Sequence, residues 1–332
     1  MRISHNLFFI FIFLFVFSAP SGCRPLPDSL PTAVPEPKTE KNYADLIVGY
    51  AQLGAESEWR EANTISIKET ADELGVELRF LDAQQKQENQ ILAMRKFIVQ
   101  RVDVIGISPI VETGWEEVFR EAKDAGIPII LVDRRADVPE SLYATYLGSD
   151  FLEEGRNAAR VMVDLVGGQA NIVELVGTVG SAPANDRYLG FREILREHPG
   201  IIIIDSASGD FTKARGREVM AAFLKKHANT ITAVYSHNDD MALGAIQAIE
   251  EYGLRPGVDI KIVSVDAARG AFEAMIEGKL NATVECNPLL GQQFFELALK
   301  VVNGESVPKW VPSIETIFFP EDAAEILPTR KY

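Results

Sequence analysis

At 332 residues, 47% of them hydrophobic, the chain is long enough for about two domains with full cores. Its formal charge of -15 argues against nucleic acid and anionic membrane surfaces as partners and fits a solvated acidic face. Leu7 to Phe17 is an unbroken apolar run behind Arg2 and His5. It is short for a membrane span and the right size for the apolar stretch of an export signal over residues 1–22.

Pro20-Ser21-Gly22-Cys23 resembles the lipobox of bacterial lipoproteins, with Pro20 where Leu is usual. That resemblance implies lipidation of Cys23 and a membrane contact limited to this N-terminal anchor. Residues 23–43 contain Pro25, Pro27, Pro31, Pro35 and Pro37, a composition that suits an extended tether. Cys286 is the only other cysteine, so no internal disulfide is expected and the core must hold the fold. At the end of an apolar run, Cys286 reads as a small buried hydrophobe.

From Leu46 onward apolar runs alternate with amphipathic helical stretches, the pattern of parallel sheets covered by helices on both faces. Strands are expected at about 46–51, 76–82, 102–107, 127–132, 170–176, 201–205, 231–236, 260–265 and 281–286. Gly75, Gly126 and Gly253 stand where helices end in a left-handed residue. Near Tyr143 to Asp150 the alternation breaks, as at a crossing between lobes. The expected architecture is α/β, two Rossmann-like lobes with parallel sheets joined by crossing strands. The N-terminal lobe takes 44–148 plus 287–313, and the C-terminal lobe 149–286 plus 314–332.

The organising stretch is 231–245, which turns from an apolar strand to a helix at Asn238, with Asp239 and Asp240 suited to the first helical turn. Asn238 therefore marks the carboxyl end of a buried strand, the edge where open parallel sheets bind ligands. Other strand ends run into Glu56, Trp59 and Arg60, into Asp133, Arg134 and Arg135, and into Asp266 and Glu285. Carboxylates, guanidinium forks and an Asn together match the donors and acceptors of a sugar, and Trp59 offers a flat face to its C–H groups.

The order and spacing of Asp133-Arg134, Ala184-Asn185-Asp186-Arg187, Ser208-Gly209-Asp210-Phe211, Asn238-Asp239-Asp240-Met241 and Ser264-Val265-Asp266 make 44–332 similar to bacterial type I periplasmic sugar-binding proteins of ABC importers. Gly54-Ala55-Glu56-Ser57-Glu58-Trp59-Arg60, Gln84 to Gln90 and Gly177-Thr178-Val179-Gly180 resemble the galactofuranose-binding branch of that ribose and galactose group. The resemblance implies sugar contacts from Glu56, Trp59, Arg60, Asp133, Arg134, Arg187, Asn238, Asp266 and Glu285. It also implies an exported, periplasmic or surface-held monomer that hands a monosaccharide to an ABC permease without cofactor, metal or catalysis. Trp59-Arg60 replaces the paired aromatics of the ribose pattern, and Val265 replaces a Phe before Asp266. A polar site with one stacking face, suited to a furanose, is therefore expected.

Two other functions fit less well, and a third, the receptor subunit, fits the sequence equally. A glycosidase could use Asp133, Asp266 and Glu285 as paired carboxylates, but no second catalytic element accompanies them. A sugar-responsive repressor needs a basic helix-turn-helix where this chain carries its apolar run and prolines. A receptor subunit that presents the sugar to a signalling partner is the third.

Overall fold

The computed structural model describes residues 40–332. The export signal and Cys23 lie outside the described residues, as does the tether except for its last four positions. The chain runs β1 (Ile47–Gln52), α1 (Glu58–Leu74), β2 (Glu77–Asp82), α2 (Gln87–Val99), β3 (Val104–Ile107), α3 (Glu116–Asp124), β4 (Ile129–Val132) and β5 (Thr145–Leu147). There follow α4 (Phe151–Val166), β6 (Ala170–Val176), α5 (Ala182–Leu195), β7 (Ile201–Ser208), α6 (Lys213–His227), β8 (Ala233–Ser236), α7 (Asp239–Glu251), β9 (Lys261–Asp266), α8 (Arg269–Ile276) and β10 (Ala282–Glu285). The last elements are α9 (Gly291–Val302), β11 (Trp310–Val311), β12 (Ile317–Phe318) and α10 (Pro320–Ile326).

The strands form two six-stranded sheets, ordered β11-β5-β4-β3-β1-β2 and β12-β10-β9-β8-β6-β7. All pairs are parallel except β10 with β12. Each expected strand is present. Their Val- and Ile-rich runs, such as Val104–Ile107 and Ile129–Val132, are buried throughout because helices cover both faces. β5, β11 and β12 are additional: at two or three residues they are too short for a period to show.

The chain passes from one sheet to the other three times, after β5, after β10 and between β11 and β12. Two apolar clusters sandwich each sheet. α4 and α5 approach so closely that a Cβ on Gly155 would stand 2.5 Å from the Arg187 carbonyl oxygen, and one on Gly190 2.0 Å from that of Leu152. Glycine at these two positions sets the height of Arg187 on its helix. Among the described residues, no helix is long and apolar enough to cross a membrane.

Candidate functional site

The carboxyl ends of strands from both sheets open on one shared cavity. Eight of the nine residues expected at the site line it: Glu56, Trp59, Arg60, Asp133, Arg134, Arg187, Asn238 and Asp266. Ser57, Pro183, Phe211 and Cys286 complete the lining.

The ninth, Glu285, stands outside. Its carboxylate pairs with Arg330 at 2.8 Å and accepts from the Tyr332 hydroxyl at 2.9 Å and the Thr316 amide at 3.2 Å. The C-terminal segment thus occupies this acid, and Cys286, one residue on, faces the cavity instead.

Ser57 caps α1, its hydroxyl accepting from the Arg60 amide at 3.1 Å, so that Trp59 and Arg60 leave from the first helical turn. The Arg60 guanidinium, 1% exposed, bonds Asp133 and, through Nε at 3.2 Å, Glu56. Arg134 Nη2 donates to the same Glu56 oxygen at 3.2 Å, and its Nη1 to the Ile110 carbonyl at 3.3 Å. Asp133 has φ 63°, a left-handed turn that few L residues adopt, and the Tyr146 hydroxyl holds its carbonyl at 2.7 Å. Burial alone would lower the pKa of Arg60, but the charges of Asp133 and Glu56 outweigh it and raise the value. For Arg134, burial and the neighbouring Arg60 charge win, and its pKa falls to about 10.

From the other lobe, Arg187 donates through Nε to Glu154 at 2.7 Å and through Nη1 to the His237 carbonyl at 2.6 Å, with Nη2 3.6 Å from Asp266. Burial raises the pKa of Asp266 well above the usual carboxylate range, with Arg187 opposing and Asp239 adding. Asn238 caps α7 by accepting from the Met241 amide at 3.0 Å and donates to the Phe211 carbonyl at 3.0 Å. That second bond fixes a turn in which Asp210 and Phe211 both have positive φ, 51° and 60°. The Phe211 ring lies where a Cβ on Gly177 would stand, 1.9 Å from Cζ, so only glycine fits there. His237 is wholly buried, with Nε2 3.2 Å from Glu174, and burial lowers its pKa; it is a structural strand-end group.

The expectation of one stacking face needs correction, because Trp59 and Phe211 supply an aromatic from each lobe. Each already carries a guanidinium: Arg60 Cζ lies 4.6 Å from the Trp59 centroid and Arg134 Cζ 5.3 Å from that of Phe211. Trp59 also donates to the Cys286 carbonyl at 2.5 Å and packs into the core of the second lobe. Cys286 is buried, and burial pushes its thiol pKa far up, so it acts as a wall.

The guanidiniums pair with acids of their own lobe, Arg60 and Arg134 with Glu56 and Asp133, Arg187 with Glu154 and Asp266, which leaves no bare charge in the cavity for an ionic ligand. Two cavity residues hold buried atoms without a hydrogen-bond partner, Glu56 Oε2 and Arg134 Nε, one acceptor and one donor on side chains that touch. The lobes meet at the rims. The Glu112 amide donates to Gly180 O at 2.9 Å, Asn185 donates to Glu112 at 2.6 Å, Arg135 pairs with Asp186, and the Glu58 amide donates to Asp240 at 3.0 Å.

Sequence reasoning missed four lining residues. Ser57 and Phe211 lay inside the motifs quoted above without being named as contacts. Pro183 and Cys286 carried no polar signal. Glu154, which holds Arg187, lies in the first turn of α4, where an acid reads as a partner for the helix dipole.

Residues 48–306 match the model of a periplasmic binding protein domain. The chain is 46% identical to the galactofuranose-binding protein YtfQ of Escherichia coli, over 87% of this chain and 92% of that protein. Among solved structures it is similar to the binding component of an arabinose ABC transporter from Shewanella sp. ANA-3 bound to α- and β-L-arabinofuranose. Identity there is 46%, covering 86% of this chain and 95% of that one, with a TM-score of 0.84. A Mycobacterium smegmatis protein in complex with β-D-fucofuranose is 50% identical, with the same coverages and TM-score.

Proposed function

The chain belongs to the periplasmic binding protein family, and from that premise we propose that it captures a neutral monosaccharide as a furanose between its lobes and delivers it to an ABC permease. The observation that carries the proposal is the pair Glu56 Oε2 and Arg134 Nε, buried without a hydrogen bond on residues that line the cavity, the latter with Asp133 no nearer than 3.7 Å. One sugar hydroxyl donates to the first while another accepts from the second, which removes the penalty of burying either atom alone. Galactofuranose is the favoured ligand, because relatives with 46–50% identity are named for furanoses.

Binding proceeds by closure of two lobes on a ligand that touches both, so that sugar shifts an open–closed equilibrium. Glu56, Trp59, Arg60, Asp133 and Arg134 engage it from one side, and Arg187, Asn238 and Asp266 from the other. No bond is made or broken: Asp133 and Asp266 each face an arginine and serve to orient and accept hydroxyls. The export signal takes the protein across the inner membrane, and a lipid on Cys23 holds the monomer near its permease through the Pro-rich tether.

Titration calorimetry on protein unfolded and refolded to strip bound sugar tests this, with galactose, arabinose and ribose as ligands. All three supply furanose forms; galactose and arabinose, whose furanoses name the relatives, are expected to bind tightly, with ribose weaker. Heat from none of the three overturns the ligand assignment.

A further inference from the structure

Three helices begin at the gap between the lobes: α1 from the N-terminal lobe, α7 and α8 from the other. Asp240, in the first turn of α7, reaches across the gap and accepts from the backbone N–H of Glu58, the first residue of α1, at 3.0 Å. Glu58 answers in the opposite direction. Its carboxylate lies against the amide of Gly270 in the first turn of α8, with one oxygen 3.3 Å from the point where a Cβ on Gly270 would stand. Each lobe therefore sets a carboxylate at the first turn of a helix of the other lobe, where free N–H groups and the helix dipole favour negative charge, and Asp240 completes its side with a hydrogen bond. Neither Glu58 nor Asp240 lines the sugar cavity.

We propose that Glu58 and Asp240 form a reciprocal latch, a pair of positioning residues that sets the closure equilibrium, and with it sugar affinity, without touching the sugar. This rests on the reading of two lobes closing on a ligand. In the open form both carboxylates and both helix ends meet water, so the latch contributes only the difference between a charge-assisted bond and its hydrated parts.

The latch is also crowded with negative charge. Asp240 faces Glu56 and Glu58 from the opposite lobe, Lys213 from α6, and Asp239 and Asp266 behind it. Glu58 faces Glu61 on its own helix, Glu273 and Arg269 from α8, and Lys213. Burial, with the Glu58 charge adding and the Glu58 amide bond opposing, raises the Asp240 pKa to about 6. Opening returns that carboxyl to water and to its ordinary range. The closed form therefore binds more protons between about pH 4 and 6, and sugar affinity rises as the pH falls through that window.

The test follows galactose binding by stopped-flow tryptophan fluorescence and calorimetry at pH 7.5 and 5.5 in the wild type, Asp240→Ala and Asp240→Asn. Asp240→Ala removes the acceptor and is expected to weaken binding about tenfold, nearly all of it in faster release. Asp240→Asn keeps an acceptor and loses the charge. By the same linkage it is expected to bind at least as tightly as the wild type at pH 7.5 and to lose the gain in affinity on acidification. Wild-type affinity and release in Asp240→Ala overturn the latch, as does an unchanged pH response in Asp240→Asn. Should the wild type bind no sugar, the sugar proposal fails and small-angle scattering decides the latch separately. A larger radius of gyration in Asp240→Ala supports it, and equal radii overturn it.

Discussion

The two walls of the cavity use the same residue types for different work. On the N-terminal side, Glu56, Arg60, Asp133 and Arg134 answer one another within a single buried cluster, yet Glu56 Oε2 and Arg134 Nε make no hydrogen bond. On the C-terminal side, Arg187 and Asn238 are spent on structure. One ties α5 to Glu154 and to the end of β8, and the other caps α7 and fixes the Phe211 turn. The contrast teaches that a polar side chain in a binding cleft reads the ligand only with the hydrogen-bonding capacity its own fold leaves free. The N-terminal wall reads through that cluster, whereas on the C-terminal wall Arg187 and Asn238 clamp and Asp266, with Arg187 Nη2 no nearer than 3.6 Å, is left to read.

Substitutions on the two walls should then fail in different ways. Arg187→Met leaves Glu154 buried without its cation, and the expected cost is about 3–5 kcal/mol of folding stability, measured by urea denaturation without sugar. Asp133→Ala strips Arg60 of its main partner, and we expect about a hundredfold loss of sugar affinity by calorimetry, near 3 kcal/mol. Near-native affinity in that variant removes Asp133 from the list of contacts. Glu56→Gln keeps the shape and one acceptor but removes the charge shared by Arg60 and Arg134. It should lose about tenfold in affinity with little change in denaturation midpoint. If it loses stability before affinity, the distinction between the walls collapses. Glu285→Ala should have the smallest effect on binding, within about twofold, because Glu285 serves the C-terminal segment.

The acid limb of stability offers a check away from the cavity. Burial alone would raise the pKa of Glu174, but hydrogen bonds from His237 and Arg192 hold it at about 2. The stability it contributes is present above its unfolded value near 4.5 and is lost as the pH falls from there towards 2. Glu174→Gln should flatten that limb, as read by thermal melts across the range.

The alternation of apolar runs and helical stretches was enough to place the nine main strands, because parallel strands buried on both faces read as continuous Val and Ile runs. The recurrence of polar residues after those strands marked eight cavity residues for the same reason, since strand ends converge on one edge. The residues that escaped are those whose role depends on backbone geometry or on distant partners. Phe211 reaches the cavity only through a left-handed turn and the missing Cβ of Gly177. Glu285 carries the right chemistry at the right strand end, but the claim of Arg330 and Tyr332 on it comes from the end of the chain and leaves no local trace.

The most direct test of the central claim, that this cavity selects a furanose, is carbon-13 NMR of galactose labelled at its anomeric carbon and bound to the stripped wild-type protein. Galactose in solution is mostly pyranose, so the protein must draw its ligand from the minor ring form. The account predicts a bound anomeric resonance in the furanose region that disappears in Asp133→Ala. A bound resonance in the pyranose region contradicts it.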